Sequence, residues 1–349
     1  MSVARASVEA KNSVSRVFSV IEKGLKFLGE KALVLEVAQL SIQSCQHQPR
    51  GKQEVKLEAQ ALVCGLSWVY QRQGQLEDAL AAAEKSLHLG RQVDDDFNTA
   101  YCSKCQGRLY RIMAKADKAK RGEFIEKSLQ QLDVAIKQFG ALAGFGPDSA
   151  EVGDCYSLQG RTLLFANRRL AAGESIRNAS QRITDPNTKD YPDMMILMGD
   201  LEAARGNHEL ALENYGTAIG LGRAEDAERS EILARAFLAR GRSNAQLKKT
   251  KAAREDFQKA KEIWQSLREP DGIAECRWEE ILLDDPPSQH DLAYLMDHPL
   301  RARVIAYERH GNRLMALPAG ARRAKAPKTY WEQLLHEAEQ QVAIEGNGC

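Results

Sequence analysis

The stretch that decides the fold runs from Gln60 to Leu89 and reads QALVCGLSWVYQRQGQLEDALAAAEKSLHL. Leu66, Tyr70, Gly74, Ala79, Ala83 and Leu87 fall at the three- and four-residue spacings that put side chains on one helix face. The polar triplet Gln73-Gly74-Gln75 interrupts that pattern, and glycine is the residue that ends a helix at positive φ most cheaply. Two amphipathic helices joined by a tight turn are therefore predicted. The design returns from Pro192 to Leu221. Met198 and Gly199 precede a turn at Arg205-Gly206-Asn207, and Ala211, Leu212, Tyr215 and Ala218 follow it. A third copy has Phe237 and Gly241, then Ala253, Phe257 and Ala260. A fourth has Tyr156 and Gly160, then Ala172, Ile176 and Ala179.

A large residue, a small residue, a turn, then Ala, an aromatic or large aliphatic residue and Ala: this order resembles the tetratricopeptide repeat. The resemblance implies an all-α, right-handed superhelical solenoid of antiparallel helix pairs, in which small residues let the two helices of a pair approach closely. Arg240 departs from the pattern, standing where the family usually has an apolar residue. The small residue of the second helix gives a register. It steps 49 residues from Ala79 to Ser128, 44 to Ala172, 39 to Ala211 and 42 to Ala253, against about 34 in the standard repeat. Together with the phrase Ile263 to Ala274, these long steps are similar to the repeats of bacterial regulators and nucleotide-switch sensor proteins.

Working outward, residues 1–53 are expected to form an N-terminal helical repeat or cap, with helices near Val8 to Gly29 and Lys31 to Cys45. Residues 54–283 form the repeat body. Residues 284–349 are expected to be an atypical helical C-terminal cap with a basic loop, since Asp284-Asp285-Pro286-Pro287 stops a helix and a solenoid must cover its last apolar face.

Composition sets the outer bounds. The 349 residues carry 49 Lys and Arg against 48 Asp and Glu, a net charge of +1, so a generally basic nucleic-acid coat is excluded. Hydrophobic residues make up 43%, which excludes a disordered acidic chain. Only 6% are aromatic, and the abundance of Ala, Leu, Glu, Arg, Lys and Gln favours helix over strand. The N-terminus has no signal-peptide core, and no apolar run reaches membrane-span length; the densest, Ala32 to Leu40, contains Glu36 and Gln39. A cytoplasmic location without membrane association is expected, with seven scattered, reduced Cys residues. Gly348-Cys349 lacks a prenylation context. Cys102-Ser-Lys-Cys105 places two thiols one helical turn apart, and no second pair supplies a zinc ligand set.

No catalytic pattern appears. There is no phosphate-binding G-x-x-x-x-G-K-[ST]; the Gly140 to Gly146 run lacks its Lys-Ser/Thr end. There is no H-E-x-x-H and no G-x-S-x-G elbow. His290 and His298 are too far apart to chelate from one helical face, and Asp94-Asp95-Asp96 reads as a turn and N-cap. The chain is expected not to be an enzyme and to need no metal or cofactor.

Tetratricopeptide solenoids line their concave face with the first helix of each pair, and the resemblance carries that face onto named residues here. These are Cys64, Trp68 and Arg72; Tyr101, Lys104, Arg108 and Arg111, assigned by helical spacing; Ser157 and Arg161; Ile196 and Asp200; and Arg235, Leu238 and Arg242. Seven bases against Asp154, Asp193 and Asp200 predict a basic groove for an acidic peptide or protein partner. Pairing of those bases with acids on neighbouring helices is the competing expectation. The carboxylate clamp of chaperone-tail binders is not matched, because Cys64 and Trp68 replace its Lys and Asn. Function is therefore expected to be that of an interaction scaffold or sensor module in a regulatory or defence complex. The alternative is a nucleic-acid-associated regulator using residues 299–330. There Arg301, Arg303, Arg313, Arg322, Arg323 and Lys325 form a possible second basic surface, unless the segment folds back on acidic residues 271–298.

Overall fold

A computed structural model describes residues 31–46, 51–188, 190–222 and 227–283. Most of the expected N-terminal cap and the whole segment 284–349, including Arg301, Arg303, Arg313, Arg322, Arg323 and Lys325, lie outside the described residues. Every element among the described residues is helical. The chain divides into two compact units, Met1–Ile232 and Leu233–Cys349.

In the first unit α1 spans Lys31–Gln46 and α2 spans Lys52–Gln60. A π-helical segment, Ala61–Leu66, leads from α2 into α3, Ser67–Gln73. Then come α4 (Leu76–Gln92), α5 (Asp96–Ala116), α6 (Arg121–Ala141), α7 (Ala150–Phe165) and α8 (Arg169–Ser180). The unit continues with α9 (Asp190–Arg205) and α10 (His208–Leu221). Helix α11 (Ala227–Gln246) runs through the boundary, and α12 (Thr250–Ser266) and α13 (Pro270–Leu283) belong to the second unit.

Consecutive helices pack in pairs, α5 on α6, α7 on α8, α9 on α10. Glycines set how close they come. A Cβ on Gly160 would lie 2.7 Å from Ile176, and one on Gly199 would lie 2.4 Å from the Tyr215 ring. In the second unit one on Gly241 would lie 2.5 Å from Phe257. The pattern of small residue on the first helix and large residue on the second is thus a pair of interlocking surfaces. In the α5–α6 pair Ser128 takes the place of Ala, and its hydroxyl donates to the Gly107 carbonyl at 2.7 Å.

Each core cluster is shared by three successive helices. Leu163 of α7, Ala172, Ile176 and Ala179 of α8, and Met194, Leu197 and Leu201 of α9 form one. Val63, then Ala79 and Ala83, then Cys102, Cys105 and Leu109 form another. In the second unit Ala234 and Leu238, then Ala253, Phe257, Ala260 and Trp264, then Cys276 repeat the scheme, so α13 occupies the place of a further first helix. An apolar face of any one pair is covered by the next, which is the logic of a repeat array.

The turns are equally regular. Gly74, Asn167 and Gly206 sit at φ 80°, 58° and 90°, and in the second unit Lys248 and Arg268 sit at 59° and 54°. The residue after each donates its N–H five residues back: Gln75 to Tyr70, Arg168 to Leu163, Asn207 to Glu202, Lys249 to Asn244, Glu269 to Trp264. This is the Schellman closure, which satisfies the last carbonyls of a helix. At the Asp94-Asp95-Asp96 run, Asp94 takes the left-handed conformation and Asp95 caps α5, its carboxylate accepting from the Asn98 N–H at 3.1 Å.

Arg240 has a specific partner. It grips Asp256 on α12 with two bonds, Nε to Oδ2 at 2.9 Å and Nη2 to Oδ1 at 2.6 Å, and Asn244 Nδ2 donates to Oδ2 at 3.0 Å. Asp256 is buried, so the arginine that breaks the apolar pattern neutralises a charge inside the pair.

Candidate functional site

Long polar residues line α3, α5, α7 and α9. On α5, Lys104 Nζ donates to Asp154 Oδ2 of α7 at 2.8 Å. Burial alone would depress the Lys104 ammonium, but the Asp154 charge and hydrogen bond outweigh it and the net shift is upward. The same ammonium lies 4.9 Å from the centre of the Tyr101 ring. The Tyr101 phenol is held well above its ordinary range, first by the Cys105 and Cys64 sulfurs and then by burial, with Arg108 pulling the other way. Tyr101 therefore sits where α5 meets Cys64 of the preceding first helix. Arg108 directs Nη2 toward Cys105 Sγ at 3.9 Å, and Arg111, half-buried, follows about one turn along α5.

Arg161 of α7 reaches α9. Its Nη2 lies 3.0 Å from the Asp193 carbonyl oxygen and 2.9 Å from Asp193 Oδ2, and Nη1 lies 3.9 Å from Asp200 Oδ2. Asp200 also accepts from the Tyr215 hydroxyl at 2.9 Å, which satisfies the polar end of a buried ring. Lys104–Asp154 and Arg161–Asp193 are thus rungs between successive first helices. Arg72 of α3 lies over the Trp68 ring at 5.5 Å, and its guanidinium pairs with Glu231 in α11.

In the second unit Arg242 Nε donates to Glu279 Oε1 at 2.5 Å and Nη2 to Glu275 Oε1 at 2.6 Å, forming a rung from α11 to α13. Arg235 lies half-buried on the same helix.

The helical spacing placed Trp68 with Arg72, and Tyr101 with Lys104 and Arg108. It missed Glu231, Glu275 and Glu279. These carboxylates join Asp154, Asp193 and Asp200 among the acids facing the expected basic residues, so the basic excess counted from the sequence shrinks. The partners were missed because their separation along the chain, 159 residues for Arg72 and Glu231, leaves no local pattern.

Cys102, Cys155 and Cys276 are buried free thiols. Burial pushes the Cys102 and Cys276 thiols up to about 12 and raises Cys155 as well. Such thiols keep their protons near neutrality and are poor nucleophiles. Among the described residues no group of three His, Cys, Asp or Glu side chains is placed to hold a metal ion, and no helix is long and apolar enough to cross a membrane.

No protein-family model and no curated protein matches the chain. Solved structures do. The crystal structure of BtubC (BKLC) from P. vanneervenii matches at a TM-score of 0.50 and 14% identity, over 68% of this chain and 92% of that one. A Signal Transduction ATPase with Numerous Domains protein with a tetratricopeptide repeat sensor, from Pyrococcus horikoshii, matches at 0.45 and 14% identity, over 90% of this chain and 47% of that one. This chain spans about half the length of that ATPase protein. The TPR2AB domain of yeast Sti1 in complex with pHSP90 matches at 0.31 and 12% identity, over 75% of this chain and 98% of that one. At a TM-score of 0.50 and 14% identity, the first likeness speaks to fold alone. The interlocked glycines and the repeated three-helix cores decide which fold it is. The fold is a tetratricopeptide-type solenoid of helix pairs. The resemblance drawn from Gln60 to Leu89 and Pro192 to Leu221 holds at the level of packing.

Proposed function

We propose that the protein is a non-enzymatic interaction scaffold or sensor module that holds a peptide or protein segment against the first-helix face of its first unit. The observation that carries this reading is the division of labour on α5. Cys102, Cys105 and Leu109 fill the core, while Tyr101, Lys104, Arg108 and Arg111 form a half-buried stripe beside it. Half-buried aromatic and guanidinium groups are the side chains that anchor partners in interfaces. Guanidinium forks favour carboxylate or phosphate, so the ligand is proposed to be acidic. The repeat body is taken as 54–283 with 284–349 as its cap, and the setting as a regulatory assembly in the cytoplasm.

The test is a binding measurement with the partner co-purified from the protein's own cells, comparing the wild type with Arg108→Glu/Arg111→Glu. Reversing two charges in one interface is expected to weaken binding at least about tenfold and to reduce its salt dependence. Unchanged affinity sinks the reading.

A further inference from the structure

The ion pairs of the first-helix face are not equivalent. Lys104–Asp154 joins α5 to α7, and Arg161–Asp193 joins α7 to α9. Each links helices that a shared core already holds, α5 with α7 through Ala100, Phe139 and Cys155, and α7 with α9 through Leu163, Ile176 and Leu197. Their cations are 15% (Lys104) and 11% (Arg161) exposed and their carboxylates 36% (Asp154) and 29% (Asp193). Arg72–Glu231 differs in reach. It joins α3 to the first turns of α11, whereas the other two join successive first helices. The two residues are 159 apart in sequence, and their side chains are 25% and 26% exposed.

The position of the Glu231 carboxylate is informative. It meets a guanidinium that lies over the Trp68 ring, a composite of cation and aromatic surface that suits a carboxylate bearing an apolar stem. Glu231 thus takes up the charge of Arg72 as an acidic ligand side chain would.

We propose that Arg72 and Glu231 form an autoinhibitory clasp, in which Glu231 stands in for an acidic peptide side chain that must displace it to reach Arg72 and Trp68. The proposal rests on the first-helix face being the ligand face. It adds regulation: a ligand must win the competition with an internal carboxylate, and in winning it uncouples α11 from α3. The apparent affinity is reduced by the fraction of molecules in which the clasp is shut.

The test uses the full chain with Glu231→Gln, which keeps shape and removes charge, and Glu231→Asp as a charge-retaining second variant. Two readouts are taken: amide exchange in residues 67–73 and 229–232 without ligand, and titration with a fluorescent oligoglutamate peptide at low salt. Expected for Glu231→Gln are faster exchange in both segments and peptide binding tightened about three- to tenfold, with the gain abolished by adding Arg72→Ala. Glu231→Asp should bind more weakly than Glu231→Gln. Unchanged exchange in Glu231→Gln overturns the clasp. Faster exchange with equal peptide affinity in wild type and Glu231→Gln leaves a structural tie and overturns the autoinhibition. Faster exchange with no peptide binding by any variant overturns the acidic-ligand reading beneath it, and the gate with it.

Discussion

At the scale of single residues, the same amino acid carries opposite consequences at neighbouring places. Gly199 faces the ring of Tyr215 so closely that an added methyl would sit 2.4 Å from a ring carbon, and Tyr215 is itself fully enclosed. Gly199→Ala is therefore expected to destabilise the protein by about 1–3 kcal/mol, the cost of overpacking. Gly216, mid-way along α10, has nothing within 4 Å of where its Cβ would be. Gly216→Ala should stabilise by about 0.5–1 kcal/mol through helix propensity alone. Urea unfolding of both variants checks the pair of signs. The buried thiols give a pH dependence. Burial raises Cys102 and Cys276 to about 12, so the folded state keeps protons that the unfolded chain loses above about 8.5. Their contribution is present in full below that ordinary value and is lost as pH climbs toward 12. The urea midpoint should fall between pH ~8 and ~10, and fall less steeply in Cys276→Ala.

At the scale of elements, the turns show what a sequence displays and what it conceals. Gly74 and Gly206 announced their turns because glycine is the expected residue at positive φ. Asn167, Lys248 and Arg268 adopt the same conformation and close with the same backbone bonds, yet lysine and arginine send no such signal. The left-handed conformation costs a residue with a Cβ about 1–2 kcal/mol, partly offset by the lower unfolded-state entropy relative to glycine. Lys248→Gly is accordingly expected to raise stability by about 0.5–1 kcal/mol, measured as a shift in the urea midpoint. The π-helical stretch Ala61–Leu66 was equally silent, since its apolar spacing suits either helix form over a single turn. Arg240 was legible as an exception but its reason was not, because Asp256 lies on the following helix and looks, in sequence, like one more solvated acid. With the carboxylate gripped by Arg240 and Asn244 inside the pair, Asp256→Ala should cost about 2 kcal/mol or more. Leucine at both 240 and 256 should cost less, as an apolar replacement removes the uncompensated charge. The residues of the first-helix face follow the same rule: Tyr101, Lys104 and Arg108, and the acids Asp154, Asp193 and Asp200, could be read from spacing, whereas Glu231, Glu275 and Glu279 could not.

At the scale of the whole molecule, cohesion is local. Core clusters span three successive helices, and the ion-pair rungs of the first-helix face add only a modest increment each. A chain stabilised by nearest-neighbour contacts unfolds cooperatively only as far as those contacts are of similar strength. The division into Met1–Ile232 and Leu233–Cys349 marks where they are sparser. Scanning calorimetry of the intact protein is therefore expected to give a total enthalpy larger than the van't Hoff enthalpy, with two overlapping transitions. The glycine variants assign them. Gly199→Ala overpacks the first unit and should lower one transition, and Gly241→Ala, whose methyl would meet Phe257 at 2.5 Å, should lower the other. A single transition with equal enthalpies, moved alike by both variants, would show that helix α11 couples the two units into one cooperative body. The regular three-helix cores would then be parts of a structure whose stability is global, and release of the Arg72–Glu231 clasp would be felt through both units instead of staying within the first.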